Sequence, residues 1–73
     1  MENAAVSKAL GTMLKSKRLA AGLTQEQLAS EMGVPQSFIA KLESAERRLT
    51  LVDGFRISRI LDFPASDFDA AIP

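Results

Sequence analysis

This chain of 73 residues contains neither cysteine nor histidine, so packing alone must stabilise its fold. Disulfides are excluded, and the commonest zinc ligands are missing. A chain of this size buries only about 60% of the surface that its unfolded form exposes, which leaves little material for a deep catalytic pocket. We therefore expect one small domain over residues 1–73, with no metal, no cofactor and no small-molecule ligand.

Signals for the start and end of helices recur along the chain, whereas strand and hairpin signals are nearly absent. Apolar residues at helical spacing predict a first helix at about residues 4–21, followed by Gly22, which suits a left-handed C-cap. Thr24 and Gln27 form a T-x-x-Q box that caps the start of a second helix. Gly33 is expected to end that helix.

Three further helices complete the predicted fold. A third is expected at about residues 35–44, a fourth of about eleven residues after the N-cap Thr50, and a short fifth one capped by Ser66. The inward side of the fourth helix is expected to carry Leu51, Phe55, Ser58 and Leu61. The pattern therefore predicts an all-α, compact five-helix domain.

Charge is balanced overall, with nine basic and nine acidic residues, and this argues mildly against nucleic acid as a partner. The distribution is uneven, because all nine basic residues lie between Lys8 and Arg59 together with only five acidic ones. An acidic end can bring the net charge to zero while one basic face still attracts phosphate. Net charge therefore decides nothing here.

The most informative stretch is GLTQEQLASEMGVPQSFIAKLES, residues 22–44. Two short helices joined by a turn that contains Gly33 have the geometry of a DNA-binding helix-turn-helix. The solvent side of the third helix is expected to present short or amide side chains and one cation: Gln36, Ser37, Ala40, Lys41 and Ser44. Most of these side chains suit contact with base edges.

The chain resembles the Cro/C1-type (XRE) helix-turn-helix family, which includes the lambdoid phage repressors and many small bacterial regulators. Between residues 10 and 68 the matching pieces are L-G-x-x-L with K-R, GLTQEQLA, MGVPQSFIAKLE and ERRLT. The resemblance implies a lambda-repressor-like fold and sequence-specific binding of double-stranded DNA. It also implies a homodimeric transcriptional regulator, of repressor or controller type, in the cytoplasm of a bacterium or encoded by a phage.

The resemblance assigns roles to residues by their position. The base-reading positions of the family fall on Gln36, Ser37 and Lys41. The phosphate-binding positions fall on Gln25, Ser44, Arg47 and Arg48. A pair that forms a buried salt bridge in relatives matches Arg18 and Glu43, which are therefore expected to be structural.

Two residues depart from the family pattern. Ala45 stands where many relatives have a turn-forming glycine, so the turn is either strained by roughly 1 kcal/mol or follows another path. Pro35 replaces the common Ser or Thr cap and loses a side-chain acceptor. Phe38 has two interpretations, a partly buried prop under the second helix, which we favour, or an apolar contact with a thymine methyl group.

A palindromic operator requires two recognition helices about 34 Å apart, and therefore a dimer. Ile60 is expected to face away from the core, with other apolar residues nearby. These residues predict a twofold dimer seam made of Ile57, Ile60, Phe63, Phe68 and Ile72.

The leading alternative is a helical protein-interaction module, such as an antitoxin that masks a toxin, with DNA binding secondary or lost. An apolar C-terminal face used for a different chain would favour it. An enzyme is the weakest interpretation, because no glycine-rich phosphate loop is present and the carboxylates are scattered. The remaining cations, Lys15, Lys17, Arg56 and Arg59, are expected to be solvated. The operator, and the choice between repression and activation, stay open.

Overall fold

The computed structural model describes residues 4–72, and five α-helices make up its regular structure. They are α1 (Ala4–Ala20), α2 (Gln25–Met32), α3 (Gln36–Glu43), α4 (Leu51–Ile60) and α5 (Ser66–Ala71). No strand occurs within the described residues, so the predicted all-α, five-helix fold is confirmed. No helix in this part of the chain has both the length and the apolar character that crossing a bilayer requires.

Side-chain caps begin two of the helices as the sequence predicts. The Thr24 hydroxyl accepts the amide of Gln27 at 3.0 Å, and the Gln27 side chain accepts the amide of Thr24 at 2.8 Å. Thr50 accepts the amide of Asp53 at 3.2 Å at the start of α4. These bonds satisfy amides that the helices leave without a partner.

The predicted cap at Ser66 is wrong, because Ser66 is already the first residue of α5. A backbone turn that starts at Pro64 satisfies the first amides of α5 instead. The Pro64 carbonyl accepts the amide of Asp67 at 2.9 Å, and the Ala65 carbonyl accepts the amide of Phe68 at 3.0 Å. No side-chain acceptor is therefore needed at this end of α5.

Helices α1 to α4 all end in the same turn, in which one residue has a positive φ and the next amide bonds to the carbonyl five residues back. Behind α3, for example, the amide of Glu46 donates to the carbonyl of Lys41 at 2.9 Å. The residues with positive φ are Gly22, Gly33, Ala45 and Asp62. Ala45, at φ 65°, thus forms the same left-handed turn as the glycines, with the strain that this conformation imposes on a residue with a Cβ. Of the two alternatives that the sequence left open, the strained turn is the one that occurs.

The core lies where α1, α2 and α3 meet and continues under α4. Its buried apolar residues are Leu14, Leu28, Ala29, Met32, Ile39, Leu42, Ile57, Leu61 and Phe63. Gly11 lets α1 approach the end of α3, because a Cβ at this position would lie 2.5 Å from the carbonyl oxygen of Glu43. This close approach positions α3 on the rest of the domain.

The predicted inward face of α4 is only half right. Ser58 and Leu61 are buried, but Leu51 and Phe55 are 73% and 43% exposed. The true inward side includes Gly54, where a Cβ would lie 3.5 Å from the ring of Phe68. A hydrophobic pattern overlooks a buried glycine, and α4 is therefore rotated from the predicted orientation.

Burial also corrects the predicted dimer seam. Ile57 is 1% exposed and Phe63 is 9% exposed, so both belong to the core and neither offers a surface to a partner. Ile60 and Phe68 are half-buried against that core, and Phe68 meets Phe63 edge-on with 5.4 Å between the ring centroids. Ile72, at 44% exposed, is the only member of the predicted seam that lies open to solvent.

Two cations expected to be solvated hold the outer helices in place. Lys17 forms an ion pair with Asp67 at 2.6 Å and lies 5.1 Å from the ring centroid of Phe63, which ties α5 to α1. Arg56 donates a hydrogen bond to the Met32 carbonyl at 2.7 Å, at the end of α2. Both residues therefore have a structural role that their spacing did not indicate.

Candidate nucleic-acid interface

Helix α3 presents its first turn to solvent. Gln36 and Ser37 are its first two residues and are both exposed, and Lys41 is exposed one turn later. Pro35 occupies the N-cap position without a side-chain hydrogen bond, as its replacement of a Ser or Thr implies. Three polar side chains of different chemistry thus extend from one short helix whose other side, with Ile39 and Leu42, is in the core.

A buried ion pair joins α3 to α1. Nε of Arg18 donates to Oε2 of Glu43 at 2.7 Å, and Nη2 donates to Oε1 at 3.1 Å, with both side chains less than a tenth exposed. Nη1 of Arg18 donates to the Leu23 carbonyl at 2.8 Å. The hydrogen bonds to Glu43 raise the pKa of Arg18 above its ordinary value; burial opposes this rise and the charge of Glu43 adds to it.

The same carboxylate also holds the first residue of α2. Nε2 of Gln25 donates to Oε1 of Glu43 at 3.0 Å, and Nε2 of Gln36 donates to Oε1 of Gln25 at 3.2 Å. Since an ionised carboxylate only accepts, Gln25 must turn its NH₂ toward Glu43 and its carbonyl oxygen toward Gln36. These hydrogen bonds therefore turn the NH₂ group of Gln36 toward Gln25.

The loop after α3 carries three of the predicted phosphate ligands. Ser44 donates its hydroxyl to Oε2 of Glu46 at 2.7 Å, with the Lys41 carbonyl at 3.3 Å. Arg47 is exposed, and its guanidinium carbon lies 4.1 Å from the centroid of the Phe38 ring. Arg48, next in sequence, is also exposed. Two cations and a hydroxyl thus follow α3, with one carboxylate among them.

Phe38 lies on the side of α3 that the favoured interpretation indicates. It is half-buried and packs against the core, and the Arg47 guanidinium covers its ring. A thymine methyl group could contact only the part of the ring that neither the core nor Arg47 covers. Packing and the cation contact account for this side chain.

The profile of the helix-turn-helix family matches residues 14–68, which is most of the chain. The chain belongs to the helix-turn-helix family of Cro/C1 (XRE) type. Members of this family are DNA-binding regulators of transcription and not enzymes, and this chain is assigned to that class.

Two solved structures are similar to this helix-turn-helix protein. An XRE-family like protein from Pseudomonas syringae pv. tomato is 38% identical, with a TM-score of 0.80 over 94% of this chain and 89% of that one. The restriction-modification controller protein C.AhdI from Aeromonas hydrophila is 30% identical, with a TM-score of 0.78 over 84% of this chain and 92% of that one. No curated protein sequence matches the chain.

The helix-turn-helix protein also has an apolar surface on the outer side of α4. Leu51 and Val52 are 73% and 66% exposed, Phe55 is 43% exposed, and Ile72 lies beside them. Leu51, Phe55 and Ile72 line a groove of about 400 Å³ between α1, α4 and α5, together with Leu10, Leu49 and Phe68. We call these four exposed residues the α4 face.

Sequence reasoning missed the α4 face and the contacts made by Gln25, Gln36 and Arg47. The signal for the face was the apolar pair Leu51 and Val52, directly after the Thr50 cap. The side-chain contacts left no signal, because they join residues far apart in sequence through the packing of three helices. Within residues 4–72, no three acidic side chains gather closely enough to hold a metal ion.

Proposed function

We propose that this helix-turn-helix protein binds a specific palindromic operator as a homodimer, with α3 in the major groove. Binding would regulate transcription, as a repressor or controller, in the bacterial cytoplasm. The observation that carries the proposal is the fixed orientation of the Gln36 amide at the exposed start of α3. A side chain that is ordered before it meets DNA loses less entropy on binding.

Gln36 is suited to adenine. One N–H of its amide is used by Gln25, which leaves the second N–H and the carbonyl oxygen on the same planar group. Adenine presents N7 as an acceptor and N6 as a donor in the major groove, and a glutamine amide pairs with both. The contact to Gln25 therefore orients the amide while leaving one N–H and the carbonyl oxygen for the base.

Ser37 and Lys41 would complete the base contacts. Ser37 is a weakly selective partner, because a hydroxyl both donates and accepts. Lys41, exposed one turn further along α3, suits guanine O6 and N7 or a nearby phosphate. We propose that Gln36 dominates the sequence preference, with Lys41 second.

Phosphate contacts would come from both ends of the helix-turn-helix. Gln25 begins α2, where free amides and the helix dipole favour an anion, while Arg47 and Arg48 follow α3 as exposed cations. Ser44 would have to exchange its bond to Glu46 for one to phosphate. With few cations available, we expect weak non-specific binding and a large share of the affinity from base contacts.

The α4 face is the surface that we propose for the dimer, in place of the seam predicted from the sequence. It offers Leu51, Val52, Phe55 and Ile72 to solvent beside an apolar groove, and Asp69 is the only charged residue among the described residues that line this groove. A twofold contact would set two copies of this surface against each other and bury both at once. A helix of eight residues reads only a short site, so a second copy is what an operator of useful length requires.

Selection of DNA from a randomised duplex library, followed by sequencing, tests the function as a whole. We expect enrichment of a palindrome whose half-sites lie about one helical turn apart. Enrichment of no sequence, with binding that simply disappears as salt rises, would contradict base reading by α3.

Sedimentation equilibrium tests the dimer and its surface. Leu51→Asp should give a monomer, because it places a charge in the α4 face, and should weaken operator binding. Leu19→Asp is the matched control, because Leu19 is 58% exposed on α1 and outside the groove lining. A monomeric wild type that captures a different chain through this face would favour the protein-interaction alternative.

A further inference from the structure

The contact between Phe38 and Arg47 joins the recognition helix to the loop that follows it. Phe38 is the third residue of α3, and Arg47 lies four residues beyond the last residue of that helix. The Arg47 guanidinium carbon is 4.1 Å from the ring centroid, well within the range of a cation–π interaction. The turn at Ala45 reverses the chain so that these two side chains can meet.

Both partners of this contact are anchored. The Phe38 ring is half-buried against the core, so the surface that it offers is fixed relative to α3. The backbone amide of Arg47 donates to the Lys41 carbonyl at 3.1 Å, which fixes the point from which the Arg47 side chain starts. Only the side-chain torsions of Arg47 remain to be restricted, and the ring restricts them.

The contact leaves the hydrogen-bonding groups of Arg47 available. The ring attracts the cation through its π face and carries no oxygen or nitrogen acceptor for the five guanidinium N–H groups. Among the described residues, no carboxylate accepts a hydrogen bond from this guanidinium. Arg47 is therefore held in place without being neutralised, as a phosphate ligand should be.

We propose that Phe38 is a positioning residue for phosphate binding by Arg47. It orders the guanidinium before DNA arrives and keeps it at a fixed offset from Gln36, two residues earlier in α3. This inference rests on the proposed function. It adds that base contact and phosphate contact share one rigid support, the first turn of α3.

A double-mutant cycle tests the inference, with Phe38→Leu, Arg47→Ala and the two combined. Leucine keeps an apolar side chain against the core and removes the π face, whereas Phe38→Tyr retains that face. The measured quantity is the dissociation constant of the dimer for the selected operator and for an unrelated duplex, over a series of salt concentrations. Thermal melting by circular dichroism shows whether each variant remains folded.

We expect Arg47→Ala to weaken binding to both duplexes by a similar factor. It should also reduce the slope of log K against log salt by about 0.9 for each phosphate that the protein no longer neutralises, and so by about 1.8 in a dimer. Phe38→Leu should weaken binding by about two- to fivefold for each protomer, and Phe38→Tyr should restore it. In the Arg47→Ala background, Phe38→Leu should have no further effect.

Equal effects of Phe38→Leu with and without Arg47 would overturn the inference and leave Phe38 as a packing residue. An unchanged affinity for Arg47→Ala would overturn it as well, while a lost base preference in Gln36→Ala would still support the proposed function. If no duplex is preferred by any variant, the proposed function fails and the inference with it.

A measurement without DNA tests the contact itself. The δ protons of Arg47 should show an upfield ring-current shift in the NMR spectrum of the free protein. The shift should vanish in Phe38→Leu and persist in Phe38→Tyr. Identical Arg47 shifts in wild type and Phe38→Leu would contradict the contact directly.

Discussion

Oε1 of Glu43 accepts a hydrogen bond from Nε2 of Gln25 at 3.0 Å, so the carboxylate that pairs with Arg18 also orients the first residue of α2. Glu43 is the last residue of α3, and Gln25 in turn contacts Gln36, the first. The two ends of the recognition helix are thus linked through one buried charge. Stability and the ordering of the Gln36 side chain share the same residues.

Removal of Arg18 should test how much the domain depends on this charge. Arg18→Met leaves Glu43 buried and unpaired, and should lower the free energy of unfolding by about 3–5 kcal/mol. Urea denaturation followed by circular dichroism measures the change. Lys17→Met is the control. The Lys17 and Asp67 side chains are each about one third exposed, so the loss of their ion pair should lower the free energy of unfolding by at most about 1 kcal/mol. Equal losses in the two variants would contradict the structural role of Arg18.

Two glycines within helices should respond in opposite ways to alanine. Gly11→Ala puts a Cβ 2.5 Å from the Glu43 carbonyl oxygen, so α1 and α3 must separate, at a cost of about 1–3 kcal/mol. Gly54→Ala places its Cβ at an ordinary 3.5 Å from the Phe68 ring. Because alanine has a higher helix propensity than glycine, this change should raise the free energy of unfolding by up to about 1 kcal/mol. Thermal melting compares the two. A Gly11→Ala variant as stable as Gly54→Ala would contradict the close crossing.

Ala45→Gly should stabilise the protein, which is unusual for a change to glycine. Ala45 has φ 65°, and an L-residue with a Cβ is strained there by about 1–2 kcal/mol. Part of that gain is offset by the greater freedom of glycine in the unfolded chain, so we expect a net gain of about 0.5–1 kcal/mol in urea denaturation. Asp62→Gly, at φ 56°, should gain less, because Asp tolerates this conformation better. A destabilised Ala45→Gly variant would mean that the turn follows another path.

Glu46→Gln should strengthen DNA binding. The Glu46 carboxylate accepts the Ser44 hydroxyl at 2.7 Å and places a negative charge among the proposed phosphate ligands. Its neutralisation should remove a repulsion of phosphate and weaken the bond to Ser44, and so lower the dissociation constant by about two- to fivefold at low salt, with a smaller gain at high salt. Glu31→Gln, exposed on α2, changes the same charge and serves as the control. Weaker binding by Glu46→Gln would contradict a repulsive role for the Glu46 charge.

Local signals in the sequence were sufficient for the number and order of the helices and for the turns at Gly22 and Gly33. The cap at Thr24 and the left-handed glycines Gly22 and Gly33 act within a few residues of their partners, so the chain specifies them without reference to the rest of the fold. The family resemblance placed Arg18 and Glu43 as a pair, although they are 25 positions apart. These features position α3.

What depends on packing between helices was not predictable in this way. The rotation of α4 follows from the fit between Gly54 and the Phe68 ring, which no hydrophobic pattern expresses. The seam built on Ile57 and Phe63 was wrong because both side chains are buried, Ile57 on the inward side of α4 and Phe63 after the turn that ends it. The contacts of Lys17 with Asp67 and of Arg47 with Phe38 likewise require the folded geometry.

The most direct test of base reading by Gln36 combines the selected operator with single base-pair changes in both half-sites. Wild type and Gln36→Ala are titrated against each duplex at one salt concentration, with Arg59→Ala, exposed on α4, as the control. We predict one symmetric pair of A·T positions where wild type loses about 1–3 kcal/mol per site on change to G·C, and where Gln36→Ala loses little. A Gln36→Ala variant that keeps the wild-type preference at every position would contradict the account.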